Sequence, residues 1–324
     1  MRRTASAPIT STSSSDRRRS VSGDLDLALL SQCYGRAFSA AELVVGGVNR
    51  TYRLVGDGLP FYLRLYRSHG RSEAEIAFEL HLLRKFQTAP GIRVARPLTT
   101  SDGSGLLRMP FEGSPRFACL FEALAGRPLA RTSDDAALFG TALAKLHRAL
   151  SGIAGGEMRP LAPRVLCEAT ITTLADIPSS GAVRQAVERH CLAPLSAPSL
   201  NELPSGNCHG DAWFANAIVR ERSVGFFDFD DCGCGPYLLD LGTATWHLLL
   251  GGGANAKAHL AALIAGYETV RALGRAERQA LPLFLKLAEV RSLLFLGSFC
   301  ALTEDLWQDV LGRAENLLER DLTL

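Results

Sequence analysis

No uncharged apolar run in these 324 residues reaches the 18 or so positions needed to cross a bilayer. The longest candidates, Leu241–Ala256 and Ser292–Thr303, are short and broken by glycine, which excludes an integral membrane protein. A basic surplus is missing too. Five arginines against Asp16 put +4 on residues 1–22, which leaves 30 basic and 32 acidic residues, a charge of −2, for the rest. A near-neutral body lacks the electrostatic footprint of nucleic-acid binding. No cysteine framework is present: the eight cysteines are scattered and no secretory signal is legible ahead of them, so reduced thiols in a cytoplasm fit better than disulfides. H-E-x-x-H and G-x-S-x-G are absent, which argues against a zinc hydrolase or a serine esterase.

What is present is a soluble, globular composition, 47% hydrophobic and 21% charged, on a chain long enough for two packed units or one two-lobed fold. Its chemistry concentrates in residues 205–241. There His209-Gly210-Asp211 is followed, five positions after the aspartate, by Asn216. Two apolar runs, Ala217–Val219 and Val224–Phe227, flank a polar turn and deliver Asp228, Asp230 and Asp231. The pattern predicts a loop, a short β-hairpin and a carboxylate cluster at the end of its second strand. The same skeleton carries phosphoryl transfer in protein kinases: a carboxylate for the acceptor hydroxyl, then an amide oxygen and a second carboxylate for Mg²⁺. By strand alternation Asp230 shares the metal-facing side with Asp228 and Asp231 does not. Cys208, His209, Cys232 and Cys234 suggest zinc at first sight, but the C-x-C spacing is unusual for it and His209 has a better use in the loop.

Along the chain, residues 1–22 are rich in Ser, Thr and Arg and predict a disordered tail. A short helix over Asp24–Tyr34 precedes strands over Glu42–Val55, turning at Gly46-Gly47, and Leu59–Tyr66. No phosphate-loop glycine pattern marks that turn. Arg71–Phe86 has helical spacing, with Ile76, Leu80 and Leu83 on one face. Strand pieces at Val94–Pro97 and Leu106–Arg108 flank a turn, and Phe117–Leu124 is a further strand. The break at Ala125-Gly126-Arg127-Pro128 separates a lobe of residues 23–124 from one of residues 125–324. Asp134–Leu150 is a helix capped by Ser133 or Asp134, and its His147 reads as a hydrogen-bonded packing residue. Helices then fill the rest, Arg275–Leu302 being one long or broken helix with Pro282 near a restart. The expected class is α+β, with an antiparallel sheet and a helix in the small N-lobe and a larger, mostly helical C-lobe.

These residues resemble the aminoglycoside phosphotransferase and choline-kinase-like superfamily, which has a protein-kinase-like fold. The resemblance runs from about Leu29 to Trp246, through Gly46–Tyr52, Leu63–Tyr66, Glu79-Leu80 and Leu143–His147 to the central motif and Asp240-Leu241. Within it, Asp-Phe-Asp-Asp and Gly235-Pro236 look most like stress response kinase A and type II homoserine kinase relatives. The resemblance implies ATP and Mg²⁺ as cofactors, Asp211 as catalytic base, and Asn216 and Asp228 as metal ligands. It implies Arg64 as the phosphate-binding cation paired with Glu79, the turn at Gly46, Gly47 and Asn49 over the phosphates, and main-chain groups of Phe121, Glu122, Ala123 and Leu124 for the adenine edge. Asp240 would brace the catalytic loop and His209 would anchor it by packing. Arg64 replaces the usual lysine, and its fork is not an equivalent point charge. Trp213, Glu289 and Arg291 are candidates for shaping or contacting the acceptor.

The resulting expectation is a cytoplasmic kinase that transfers the γ-phosphate of ATP to a hydroxyl of a small molecule. A protein Ser/Thr kinase and a nucleotide-binding pseudokinase are the alternatives. The acceptor and the oligomeric state stay open.

Overall fold

The computed structural model describes residues 25–322 except 157 and 252, so the tail expected over residues 1–22 lies outside the described residues. The described chain separates into two compact units, one of residues up to Ser68 with Leu98–Ala123, the other of His69–Pro97 with Leu124 onward.

The first unit opens with helix α1 (Leu27–Tyr34). Asp26 caps it by accepting the Leu29 N–H, and Gly35 ends it in the left-handed conformation. Strands β1 (Phe38–Gly46), β2 (Arg50–Gly56) and β3 (Leu59–Leu65) follow. Strand β4 (Ile92–Val94) belongs to the second unit; β5 (Leu107–Phe111) and β6 (Ser114–Glu122) complete the first. The sheet is antiparallel in the order β1-β2-β3-β6-β5. Along β2, Tyr52 and Leu54 are fully buried while Arg53 and Val55 face outward, the two-residue period of a half-buried strand. Tyr52, Leu54, Leu63, Leu65 and Leu120 make the centre of this core, each worth about 1.5–3 kcal/mol in burial. The Tyr34 hydroxyl accepts the Leu120 N–H at 3.0 Å and ties α1 to β6.

The second unit begins with α2 (Glu73–Lys85), started by a capping box in which Ser72 and Glu75 satisfy each other's main-chain N–H groups. Strands β7 (Arg127–Pro128), β9 (Ala217–Arg220) and β10 (Ser223–Phe226) join β4 in a sheet of order β4-β10-β9-β7. β4 pairs in parallel with β10, so the two strand pieces expected to flank one turn serve different sheets, β5 pairing with β6. A two-stranded ribbon of β8 (Ser205–Cys208) and β11 (Gly233–Pro236) was not expected from sequences as poor in strand formers as SGNC and GCGP.

The remaining elements are helical. Helix α3 (Ser133–Ser151) is capped by Thr132, one residue earlier than expected, because the Thr132 hydroxyl accepts the Asp135 N–H. Asp135 is taken by Arg127 at 2.7 Å and by the Ala130 N–H. After α4 (Pro163–Leu174), α5 (Gly181–Val187) runs on into a π-helical turn at Glu188–Leu192. Then come α6 (Leu238–Gly251), α7 (Ala256–Glu268), α8 (Arg275–Phe299) and α9 (Glu304–Glu319). Helix α8 is continuous over 25 residues with Pro282 inside it, rather than broken there. Helix α3 packs along α7, where Thr141 Oγ1 donates to the Gly266 carbonyl at 2.9 Å. No helix among the described residues is long and apolar enough to cross a membrane, and all eight cysteines are free thiols. The α+β class is as expected.

Candidate active site

The ribbon of β8 and β11 holds both ends of the central stretch: β8 runs into His209, and β11 leaves the acidic turn, with Cys208 opposite Gly233. Between them, residues 209–216 form a loop ending in a 3-10 turn at Phe214–Asn216, and β9 and β10 form the expected hairpin. The Phe227 N–H donates to the Asn216 carbonyl at 3.0 Å, so the loop and the end of the hairpin are joined beside Asp228.

Asp240, the third residue of α6, is completely buried. Its carboxylate accepts the His209 N–H at 2.7 Å, the Gly210 N–H at 2.8 Å and His147 Nε2 at 3.0 Å. His147 Nδ1 meets the Tyr267 hydroxyl at 2.8 Å, and its ring stacks on Tyr237 at 4.5 Å. Burial alone would push the Asp240 carboxyl up; the hydrogen bond and charge of His147 and the His209 N–H outweigh it and hold the group below the usual carboxylate range. This is the loop brace expected of Asp240, and His147 is the packing residue expected on α3. His209 anchors the loop: Nε2 donates to the Phe227 carbonyl at 3.0 Å, Nδ1 accepts the Asp211 N–H at 3.3 Å, and the ring lies 4.2 Å from that of Phe229.

The structure brings Asp211 and Asn216 together. Asn216 Nδ2 donates to the Asp211 carbonyl at 2.9 Å and to Asp211 Oδ2 at 2.8 Å. With the amide nitrogen committed there, Oδ1 is the atom Asn216 can offer a cation. Asp228 has a backbone φ of +65°, in the left-handed region that non-glycine residues seldom adopt. An amide oxygen and a carboxylate are hard ligands of the kind Mg²⁺ takes.

Three arginines converge on the neighbouring carboxylates. Arg71, whose side chain is only 4% exposed, places Nε 3.1 Å from Asp230 and contacts Asp231. Arg159 lies 3.7 Å from Asp231 and 3.2 Å from Glu75. Arg291, on α8, contacts Asp211, approaches Asp231 at 3.5 Å and donates to the Gly210 carbonyl at 2.7 Å. Burial works against the Arg291 charge, but Asp211 and Asp231 more than compensate and hold its guanidinium above the ordinary value. Of the three only Arg291 was a candidate, for the acceptor; their shared grip on the carboxylates was not expected, since positions 71, 159 and 291 have no shared spacing. Glu289, expected near the acceptor, is instead fully buried and held by Trp246 Nε1 at 2.6 Å and Arg313 at 3.1 Å. Trp213 stacks on His247 at 3.8 Å. Burial, then Arg291 and Arg131, push the His247 ring down to about 3, so this is a stack of neutral rings at ordinary pH.

Metal-ligand atoms of His147, Cys208 and Asp240 lie within 4.8 Å of one another, but these groups bond to each other and to main chain. The Cys208 thiol faces the Gly206 and Gly235 carbonyls at 3.5 Å, and burial pushes it and Cys232 well up.

The other expected site residues lie as follows. Arg64 is buried on β3, its guanidinium over the rings of Phe121 at 5.2 Å and Tyr66 at 5.6 Å. Glu79 is buried on α2. Gly46 ends β1 and Gly47 stands in the turn to β2, where Asn49 Oδ1 accepts the Arg67 N–H at 2.9 Å. Phe121 and Glu122 end β6, paired with Tyr62 and Phe61, and Ala123 and Leu124 follow it.

An α+β chain with this loop, hairpin and acidic turn has the protein-kinase-like fold. The profile of the phosphotransferase enzyme family matches residues 40–276, and the chain belongs to that family. An uncharacterised protein of Deinococcus radiodurans is 33% identical over 292 residues, covering 88% of this chain and 84% of that protein. A homoserine kinase of Polaromonas naphthalenivorans is 30% identical over 224 residues, 64% of this chain and 66% of that enzyme's length. Among solved structures, an amicoumacin kinase in complex with AMP-PNP, Ca²⁺ and Ami superposes with a TM-score of 0.75 at 18% identity, over 90% of this chain and 92% of its own. A microcompartment-associated aminopropanol kinase gives 0.65 at 22%, over 87% and 90%. At these identities the likeness to the solved structures is one of fold. The family's chemistry is phosphoryl transfer to an alcohol group of a small molecule.

Proposed function

We propose that this chain is an ATP- and Mg²⁺-dependent phosphotransferase that moves the γ-phosphoryl group to a hydroxyl of a small molecule. The carrying observation is the junction of Asp211 and Asn216: one amide nitrogen donates to the Asp211 main-chain carbonyl and to its carboxylate, which leaves the amide oxygen as the atom to offer a cation. In this reading Asp211 accepts the acceptor's hydroxyl proton as the oxygen attacks phosphorus. Asn216 Oδ1 and the Asp228 carboxylate would hold Mg²⁺, which supplies charge neutralisation on the phosphates. Arg64 binds phosphate oxygens; the main chain at Gly46, Gly47 and Asn49 donates N–H groups to them. Main-chain groups of Phe121–Leu124 take the adenine edge. Residues 23–124 would serve the nucleotide, and residues 125–324 the metal and the acceptor. Eight free thiols support a reducing, cytoplasmic setting. The homoserine and aminopropanol kinases support a small amino alcohol or hydroxy amino acid as the first acceptors to try.

The test is Asp211→Asn in a screen of such alcohols, followed as ADP formation. The wild type should turn over, and the variant should lose at least about a thousand-fold in kcat while Mg²⁺·AMP-PNP binding by calorimetry changes little. Unchanged turnover in Asp211→Asn sinks the assignment.

A further inference from the structure

We propose that Arg291, anchored by Asp231, is the positioning residue for Asp211. This rests on Asp211 being the base of the reaction above. A carboxylate held at one oxygen can still swing about its last torsion; held at both, it is fixed in plane. Asn216 holds Oδ2 at 2.8 Å, and Arg291 contacts Oδ1 from the opposite partner element, α8. Each oxygen keeps a further lone pair for an acceptor hydroxyl.

Arg291 is itself fixed. It donates to the Gly210 carbonyl at 2.7 Å and approaches Asp231 Oδ2 at 3.5 Å. Asp231 is in turn gripped by Arg71 and lies 3.7 Å from Arg159. Its main-chain carbonyl packs on Gly210, where even a Cβ would come within 1.8 Å. The chain of contact therefore runs from Arg71, just ahead of α2, through the acidic turn to α8 and back to the loop, entirely within the second unit. The guanidinium spreads its donors over two nitrogens, Nη1 toward the Gly210 carbonyl and Asp231 and Nη2 toward Asp211; an ammonium has its three donors on one nitrogen and lacks that fixed span.

The experiment uses the full chain with Mg²⁺·ATP and reads ADP release, to water or to an acceptor, beside calorimetric binding of Mg²⁺·AMP-PNP. In Arg291→Lys, turnover should fall about 30-fold, the scale of a base displaced by part of an ångström. KM for ATP and AMP-PNP affinity should stay within about two-fold, and the melting temperature close to wild type. Asp231→Asn, which keeps size and removes the anchor, should lower turnover about ten-fold with the same split, and Asp231→Glu should restore part of it. The double variant should be no slower than Arg291→Lys alone, because both changes release the same carboxylate. Losses that multiply independently, wild-type turnover in Arg291→Lys, or a fall confined to thermal stability would each overturn the positioning role. A wild type that neither binds Mg²⁺·AMP-PNP nor releases ADP overturns the underlying reading instead.

Discussion

At Gly210, in the loop between β8 and β9, a Cβ would sit 1.8 Å from the Asp231 carbonyl oxygen, and φ is +85°. At Gly46 and Gly47, between β1 and β2, the nearest atoms to an added Cβ are 3.5 and 3.8 Å away and neither residue is left-handed. The first glycine is demanded by the protein's own packing. The second pair is not: neither position is crowded or left-handed, so the protein's own packing leaves that turn open. One region is a seat packed closely against its own neighbours; the other is an open turn.

Breaking the seat should cost most. Gly210→Ala adds left-handed strain and overpacking, together about 4 kcal/mol, and turnover should vanish along with a large fall in melting temperature. A variant that melts like wild type would show that the loop can yield, and would erase the contrast with Gly47.

The next largest effect tests the brace beneath the seat. Asp240→Asn replaces an acceptor of two main-chain N–H groups and His147 with an amide, at about 3 kcal/mol, measured by urea unfolding at pH 7. Because the folded-state carboxyl is depressed, its stabilisation is complete above the ordinary value near 4 and is lost as pH falls below it. The variant should therefore approach wild type in relative stability at the acid end.

His247, stacked on Trp213 of the same loop, gives a test of comparable size with the opposite origin. An unfolded histidine takes its proton near 6.5, whereas the folded one waits until about 3. The unfolded state binds more protons between those values, so stability falls with pH across that window, by about 1.4 kcal/mol per unit. His247→Gln should remove this slope from urea midpoints taken at pH 7, 6, 5 and 4; an unchanged slope would mean the ring is not held neutral.

The smallest expected change in stability is at the open turn. Gly47→Ala should shift folding by no more than about 0.5 kcal/mol, yet raise KM for ATP about ten-fold if main-chain donors there meet phosphate. An unaltered KM would sharpen the comparison differently, leaving the turn a plain hairpin.

Asp211, Asn216 and Asp228 were legible because they lie in one short stretch whose hairpin fixes their order, and local spacing is what sequence carries. The helix of His147 was legible through its apolar stripe. Its N-cap was misplaced by one residue because Thr132, Ser133 and Asp134 are all capping types, and only the contact of the Thr132 hydroxyl with the Asp135 N–H picks one of them. Glu289 looked like a site residue, since a charge on a helix gives no sign of facing Trp246 and Arg313 in the core. The ribbon of β8 and β11 has no strand signal at all; the two segments pair because each borders the loop that must be held.

By itself the sequence determined the class of fold, the order of loop, hairpin and acidic turn, and the three residues that suit phosphoryl transfer. Each follows from periodicity or spacing over a few residues, where covalent geometry dictates which groups can meet. Tertiary structure alone decided that Arg71, Arg159 and Arg291 share the carboxylates beside them, that Asp240 reaches His147 and the loop together, and that Gly210 has no room to be anything else. Those contacts join residues up to 160 positions apart, as Arg71 and Asp231 are, and only packing brings such distant charges within reach.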